Sequence, residues 1–433
     1  MASSSCLAVE EEIQVEHILP EWWISITRHG EEEGTSQSPI YKLQRVPMTL
    51  REIEKNRGCY EPIVVSIGPF HHKHPKLQTV QKLKATIAQK FMSGRDTRKF
   101  YLNFVEVSHK ARDCYAEGST DAFNNDEFMR MMFLDGCFLL HFIDGAVRGR
   151  LHDMKMKDDQ IAFVLRDMFL LENQLPFLVL EALMSFRLTE GQQVIRKFIG
   201  RLSWGNSSSQ EYDHPPHLLH LLWNEFVGAT PSPKIRLFRQ KDDHFFHPFR
   251  SIQELQAAGV MCKRNTSSSS LRSVSFVPHL IHGELLLPAI PVDQSTKTVF
   301  LNLVAYEASP DASSDFAITS YICLLESLIA NADDVKEMRS KNIIFNFLAG
   351  DQEVVDLFHD LAANLVPNLS EYREVKLLIE NHYRRKMNIV PVMLYKFYRS
   401  FRGQWTLFVY ITTLVIMVIF IVQTYFAVFP IKR

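Results

Sequence analysis

Four groups of residues in this chain have types and spacings that could do chemistry. Cys137 and His141 stand four apart in a helical pattern, placing a thiol and an imidazole on one face as a possible nucleophile and base. Both lie in the run EFMRMMFLDGCFLLHFI from Glu127, where a thiol ordinarily packs as a small hydrophobe, and core packing is the favoured reading. Glu172 opens the polar trio Glu172-Asn173-Gln174 ahead of Pro176. It is a candidate acid or base, but the work expected of the trio is to satisfy backbone groups exposed where Pro176 interrupts a helix. His71-His72-Lys73-His74 follows a Gly68-Pro69 turn. A zinc centre needs three or four convergent ligands and adjacent histidines diverge, so surface or turn-capping roles are expected there. In the sparser set His214, His217 and His220, the last two share a helix face, and a role at the start of that helix is favoured over metal binding.

Other chemistry is not signalled. The chain has no P-loop, no glycine-rich dinucleotide fingerprint, no HExxH and no GxSxG. No cofactor, metal or small-molecule substrate is therefore expected. With 48 Lys and Arg against 49 Asp and Glu, bulk charge gives no reason to expect nucleic acid. The six cysteines are scattered without a CxxC pair, which reads as free thiols in a reducing compartment. The serine-rich run after Lys263-Arg264 is a possible phosphate acceptor, with a plain linker favoured.

The elements expected to position these groups are mainly helical, with a minor β component. Helices are expected over about 78–91, 100–115, 127–143, 161–171, 253–258, from 297, and over 321–329, 353–365 and 372–390. A short β-branched strand is expected near 63–67 and a hairpin near 276–287, around Gly283. Residues 1–39 form an acidic arm, expected to be mobile, with eight Glu between Glu10 and Glu33. A helical head follows over 40–381, interrupted by polar loops near 205–216 and 263–275.

From His382 onward there are eight basic residues and no acidic ones, leaving 40 basic against 49 acidic before that point, a formal −9. A basic neck over 382–402 (Arg384, Arg385, Lys386, Lys396, Arg399, Arg402) leads into a stretch without any charge between Gly403 and Ile431. About 20 apolar residues suffice for a helix to cross a hydrocarbon core, so 405–427 is expected to span a membrane, with 428–433 as a short tail. Leu407, Leu414, Ile419 and Val422 form its apolar body, and Trp405, Tyr410 and Tyr425 lie toward its ends, where amphipathic rings favour the interface. The basic flank places the head in the cytosol. The N-terminus has no basic-then-apolar leader, and Ala2 stands where myristoylation needs glycine, so neither signal is expected.

Several stretches resemble motifs of one family. They are Tyr60-Glu-Pro-Ile-Val-Val-Ser-Ile-Gly-Pro-Phe-His-His72, Met131-Met-Phe-Leu-Asp-Gly-Cys-Phe138 and Asp167-Met-Phe-Leu-Leu-Glu-Asn-Gln-Leu-Pro-Phe177, with Glu254–Val260, Asn302–Glu307 and Asp333–Val335 further on. Together they resemble the plant domain-of-unknown-function 247 family, also called uncharacterised protein family 0481, from about Ile40 onward. The motif positions are Gly68, Pro69, His71, His72, Asp135, Gly136, Cys137, Glu172, Asn173, Gln174 and Pro176. The resemblance implies a plant protein ending in a membrane helix, with no established enzymatic activity. It also implies a link to recognition, since some members are implicated as male-side determinants of grass self-incompatibility. His141 departs from the family pattern, in which many members carry a glutamate. The expectation is a single-pass, membrane-tethered interaction or signalling protein with an unknown protein partner. One alternative is an unrecognised membrane enzyme using Cys137/His141 or Glu172; another is a recognition protein with its head outside the cell. Plasma membrane or endomembrane is favoured over the mitochondrial outer membrane.

Overall fold

A helix starts where its first N–H groups find acceptors, and Asn124 supplies one. Its side chain accepts from the Glu127 N–H while Glu127 returns a bond to the Asn124 N–H, closing a capping box. At the other end Gly149 takes the left-handed conformation that stops the helix. Those two signals bound Asn125–Arg148, the longest helix wholly within the head, whose sequence is apolar on nearly every face. A computed structural model shows why that pattern is needed. It describes residues 42–93, 97–187, 190–202, 214–228, 250–279, 282–310 and 315–428.

In chain order the first half of the head contains α1 (Met48–Arg51), α2 (Gln78–Met92), α3 (Thr97–Asp113), α4 (Asn125–Arg148), α5 (Asp158–Asp167), α6 (Phe177–Arg187), α7 (Gly191–Leu202) and α8 (Leu218–Val227). Helices α2, α3, α6 and α7 all pack on α4, burying Phe128, Met131, Met132, Phe138, Leu139 and Phe142. Each such side chain contributes about 1.5–3 kcal/mol on transfer from water. Gly136 is what lets α6 come close, because a Cβ there would lie 2.4 Å from Leu183 Cδ1.

The second half contains α9 (Ile252–Ala257), β1 (Val260–Arg264), β2 (Ser275–Pro278), β3 (Gly283–Leu287), β4 (Ile290–Val292), α10 (Thr296–Glu307), α11 (Ala317–Leu328), α12 (Ala332–Ser340), β5 (Ile344–Asn346), α13 (Asp351–Ala362) and α14 (Arg373–Val428). Strand β3 is central, antiparallel to β2 and parallel to β1. Strands β4 and β5 pair in parallel, joined by the crossover through α10, α11 and α12. One apolar cluster runs from Leu43 to Ile379, so both halves share a core that includes the base of α14.

Helix α14 has 56 residues, about 84 Å at 1.5 Å each. It begins after Tyr372, held at φ +48°, and its first turns dock on β2 through Val375, Ile379 and His382. Arg250 braces this junction over the Tyr383 ring. The chain stays helical through the neck into the apolar stretch. Phe408–Tyr425 is long and apolar enough to cross a membrane, and none of it is buried.

The fold is mainly α, as the periodicity implied, and the hairpin around Gly283 forms. Residues 63–67 are not a strand, with a bend at 63–64, for a reason that lies in the site below. The expected polar loop at 263–275 is shorter than that: Lys263 and Arg264 belong to β1, and Ser275 to β2. The N-terminal arm, residues 205–213 and the tail 429–433 lie outside the described residues.

Candidate functional site

The β-branched run Ile63-Val64-Val65 has no strand beside it because side chains take the place of a ladder. Asp167, the last residue of α5, accepts from the Ile63, Val64 and Val65 N–H groups, the shortest at 2.7 Å. Asn173 accepts from the Ile67 N–H at 2.6 Å, and its amide donates to the carbonyls of Val65 and Asp167. Asp135 of α4 accepts from the Gly68 N–H at 2.9 Å. Five backbone donors that would otherwise be left without partners are thus held by three side chains from two distant motifs. Burial raises the Asp167 carboxyl above its ordinary range, opposed by the three N–H groups and Arg166.

Beneath this segment Lys84 of α2 donates to Asp135 at 2.6 Å and to the Ser66 carbonyl. Both charged side chains are fully buried. Gly68, at φ +74°, fits where only a glycine does: a Cβ would meet the Gln174 carbonyl oxygen at 2.7 Å and the Tyr115 hydroxyl at 3.0 Å. The first three sequence motifs therefore converge on one buried node.

Glu172 faces the other way. Its Oε1 accepts from the Val46 N–H at 2.8 Å, and its Oε2 lies 2.8 Å from Arg51 Nη2 and 3.6 Å from His71 Nε2. Glu61 closes the ring, 3.1 Å from Arg51 and 3.5 Å from His71 Nδ1. His71 is thus a buried group between two carboxylates, not a surface or turn-capping one. Burial lowers its pKa despite Glu61, and burial raises that of Glu172. His72 is half-buried, its ring edge-on to Phe123. Gln174 completes the trio. Its amide donates to the carbonyls of Met168 and Leu170 after α5, and its oxygen accepts from the Leu219 N–H in α8. Capping across the interruption before Pro176 was the role expected of the trio; the reach to residues 46 and 219 was not.

Outside this ring lies a groove of about 840 Å³ lined by Arg45, Phe70, His71, Lys73, His74 and Phe123. Arg45 and Lys73 lie over the rings of Phe70 and Phe123, at 5.2 and 4.8 Å from the centroids. The groove wall thus sets two cations over aromatic rings, with Glu117 also on the lining.

Cys137 is fully buried in α4, whereas His141 is half-buried, with burial holding its pKa below the ordinary value. No disulfide joins the described cysteines. His217 caps α8, its Nδ1 accepting from the His220 N–H at 3.2 Å. His220 Nδ1 lies 2.6 Å from the Tyr306 hydroxyl, and His214 is exposed beside Glu181.

The later motifs do similar work. Asn302 accepts from the Leu171 N–H and donates to the carbonyls of Cys59 and Thr298. Glu307 accepts from Trp223 Nε1, the Ile318 and Thr319 N–H groups and the Thr319 hydroxyl. Asp334 accepts from the N–H groups of Gln253, Ala330 and Asn331. One convergence escaped the sequence reading: His279, His282 and Glu284 meet at the β2–β3 turn. Its only trace is the spacing His-x-x-His-x-Glu across a hairpin.

Of the expected membrane residues, Tyr410, Leu414, Ile419, Val422 and Tyr425 are all exposed on α14. Arg384 donates to Glu380 one turn back at 3.0 Å. The side chains of Arg385, Lys386, Lys396, Arg399, Arg402, Trp405 and Leu407 lie outside the described residues.

Comparison with known proteins matches residues 43–419 to the DUF247 model, described as a plant protein of unknown function. A UPF0481 protein of Arabidopsis thaliana is 26% identical over 74% of this chain and 72% of its own length. A putative UPF0481 protein of the same plant is 21% identical over 90% of this chain and 92% of its own. No solved structure matches.

Proposed function

The chain belongs to the plant DUF247 family, and from that premise we propose that it is a membrane-tethered protein whose cytosolic head acts by binding other proteins, without catalysis. One observation carries this reading: the motif side chains that could do chemistry are already committed to the fold. Asp135, Asp167, Glu172, Glu307 and Asp334 each accept hydrogen bonds from backbone N–H groups in other segments. A carboxylate held in this way is a poor proton shuttle and a good girder, since its removal strands buried donors at about 1–3 kcal/mol each. Cys137 has no exposed surface through which a substrate could reach it.

The tether rests on α14. The 18-residue stretch Phe408–Tyr425, charge-free, largely apolar and with none of it buried, exposes far more apolar surface than a soluble monomer carries. Lipid is the natural cover, with the basic neck on the cytosolic side. The neck's Lys and Arg side chains also attract anionic headgroups, at about 1 kcal/mol each.

The binding reading and its enzymatic rival part on substitution. In the full-length chain in micelles, Glu172→Ala is expected to lower unfolding stability by about 2–3 kcal/mol, because the buried Val46 N–H loses its acceptor and Arg51 is left with Glu61 alone of its two carboxylates. Cys137→Ala is expected to cost about 1 kcal/mol through a small cavity. His141→Ala, on a half-exposed face, stays within about 0.5 kcal/mol. A Glu172→Ala chain as stable as the parent would free Glu172 for a catalytic role and count against this proposal.

A further inference from the structure

We propose that the β2–β3 hairpin carries a binding site for a divalent transition-metal ion of the zinc type, with His279, His282 and Glu284 as ligands. His279 and His282 bracket the turn, which is closed by a bond from the His279 N–H to the His282 carbonyl at 2.9 Å. Their rings lie face to face, centroids 4.7 Å apart and 25° from parallel. Glu284 sits two residues on, paired across the ladder with Val277, so its carboxylate rises on the same side. Its Oε1 is 3.4 Å from His282 Nε2 and 3.7 Å from His279 Nε2.

Those separations suit an ion. Four ligands on a tetrahedron with bonds of about 2.0–2.1 Å stand about 3.3–3.4 Å apart. The His282–Glu284 distance already meets this, His279 Nε2 stands 3.7 Å from the same oxygen, and the two exposed, stacked rings turn about their side-chain bonds to aim both nitrogens at one ion. All three ligand atoms lie within 4.8 Å of one another. The strands beneath the ligands are closely packed: a Cβ on Gly283 would fall 2.4 Å from the Phe276 ring, which packs in turn on His382 of α14. Both histidines are about 40% exposed, at 43% and 40%, so an ion can enter from solvent. Among the described residues no fourth protein ligand joins the group, which leaves a position for water or for a side chain of another molecule.

Lys263 on neighbouring β1 is the built-in competitor. Its ammonium is 2.6 Å from the same Glu284 oxygen. It occupies the carboxylate oxygen that an ion would take. At 49% exposure on a flexible stem, it can swing into water when an ion arrives.

The test is a Zn²⁺ titration of the full-length chain in micelles, stripped with a chelator and read against a chromophoric competitor. Cobalt substitution reports the coordination geometry. His282→Ala and Glu284→Gln are each expected to weaken the site at least about 100-fold, since even outer partners of metal ligands carry about 10–100-fold. Lys263→Met is expected to tighten it severalfold. Unfolding of each variant without metal, unchanged from the parent, shows that the fold is intact. Equal zinc binding by the parent and a His279→Ala/His282→Ala chain would place the bound ions elsewhere and overturn the proposal.

Discussion

Asp135→Ala should be the most damaging single change in the head, lowering its stability by about 3–5 kcal/mol, the cost of stranding a buried charge. Lys84 would keep its ammonium in the core with only the Ser66 carbonyl for company, and the Gly68 N–H would lose its acceptor. The site cannot relax toward water, because α2, α3, α6 and α7 enclose α4. The same reasoning makes the pair a device of specificity rather than of stability. Replacing both members with apolar residues of similar size, Lys84→Met with Asp135→Leu, should restore much of the loss, since desolvation and attraction nearly cancel in such pairs. Denaturant unfolding of the full-length chain in micelles reads both variants. If Asp135→Ala unfolded with the parent, the pair would not be a keystone of the fold.

Acidification should have an effect of similar size. Burial lowers His217 to about 3 and His220 to about 4, and lowers His71 as well. A histidine whose folded pKa lies below its unfolded value near 6.5 takes up its proton first in the unfolded chain. Its contribution is therefore fully present above about pH 6.5 and falls as the pH drops toward 4, by up to about 1.4 kcal/mol per unit for each group. The buried carboxylates work in the opposite sense, since burial raises Asp167, Glu172 and Glu307 so that they bind protons first in the folded chain. Backbone N–H groups pull each of them back, whereas nothing offsets the burial of His217 and His220. The histidines win, and stability should drop by several kcal/mol between pH 7 and 5. His217→Asn keeps an acceptor for capping α8 and should flatten that slope. An unfolding midpoint that stays level over this range would show that the three imidazoles are hydrated.

What could be read from the sequence was local. The apolar run placed a helix over about 127–143, and the structure extends it to Asn125–Arg148 through the Asn124–Glu127 box and the Gly149 stop, short-range signals that the reading did not use. The apolar periodicity of α4 marked it as buried on several sides, and four helices do surround it. The charge-free stretch beyond Gly403 was legible because a lipid-crossing helix needs only length and composition. Long-range pairing was not legible. Ile63-Val64-Val65 has the composition of a strand, but its partners are carboxylate and amide oxygens about a hundred residues away, which no local pattern announces. The partners of Glu172, Val46 and Arg51, lie as far off. Likewise the convergence of His279, His282 and Glu284 exists only once the β2–β3 register is known. The basic neck was legible as a change of charge, and the helix that carries it runs on unbroken from Arg373 to Val428.

The proposal of a cytosolic head on a single C-terminal tether is tested most directly by topology. Asn206-Ser-Ser208, Asn265-Thr-Ser267 and Asn368-Leu-Ser370 are acceptors for N-glycosylation if the head enters the lumen. Expressed in plant cells, a cytosolic head gives no mobility shift on endoglycosidase treatment and is digested by protease added to intact microsomes. A shift together with a protected head would contradict the cytosolic orientation and place the binding surface outside the cell.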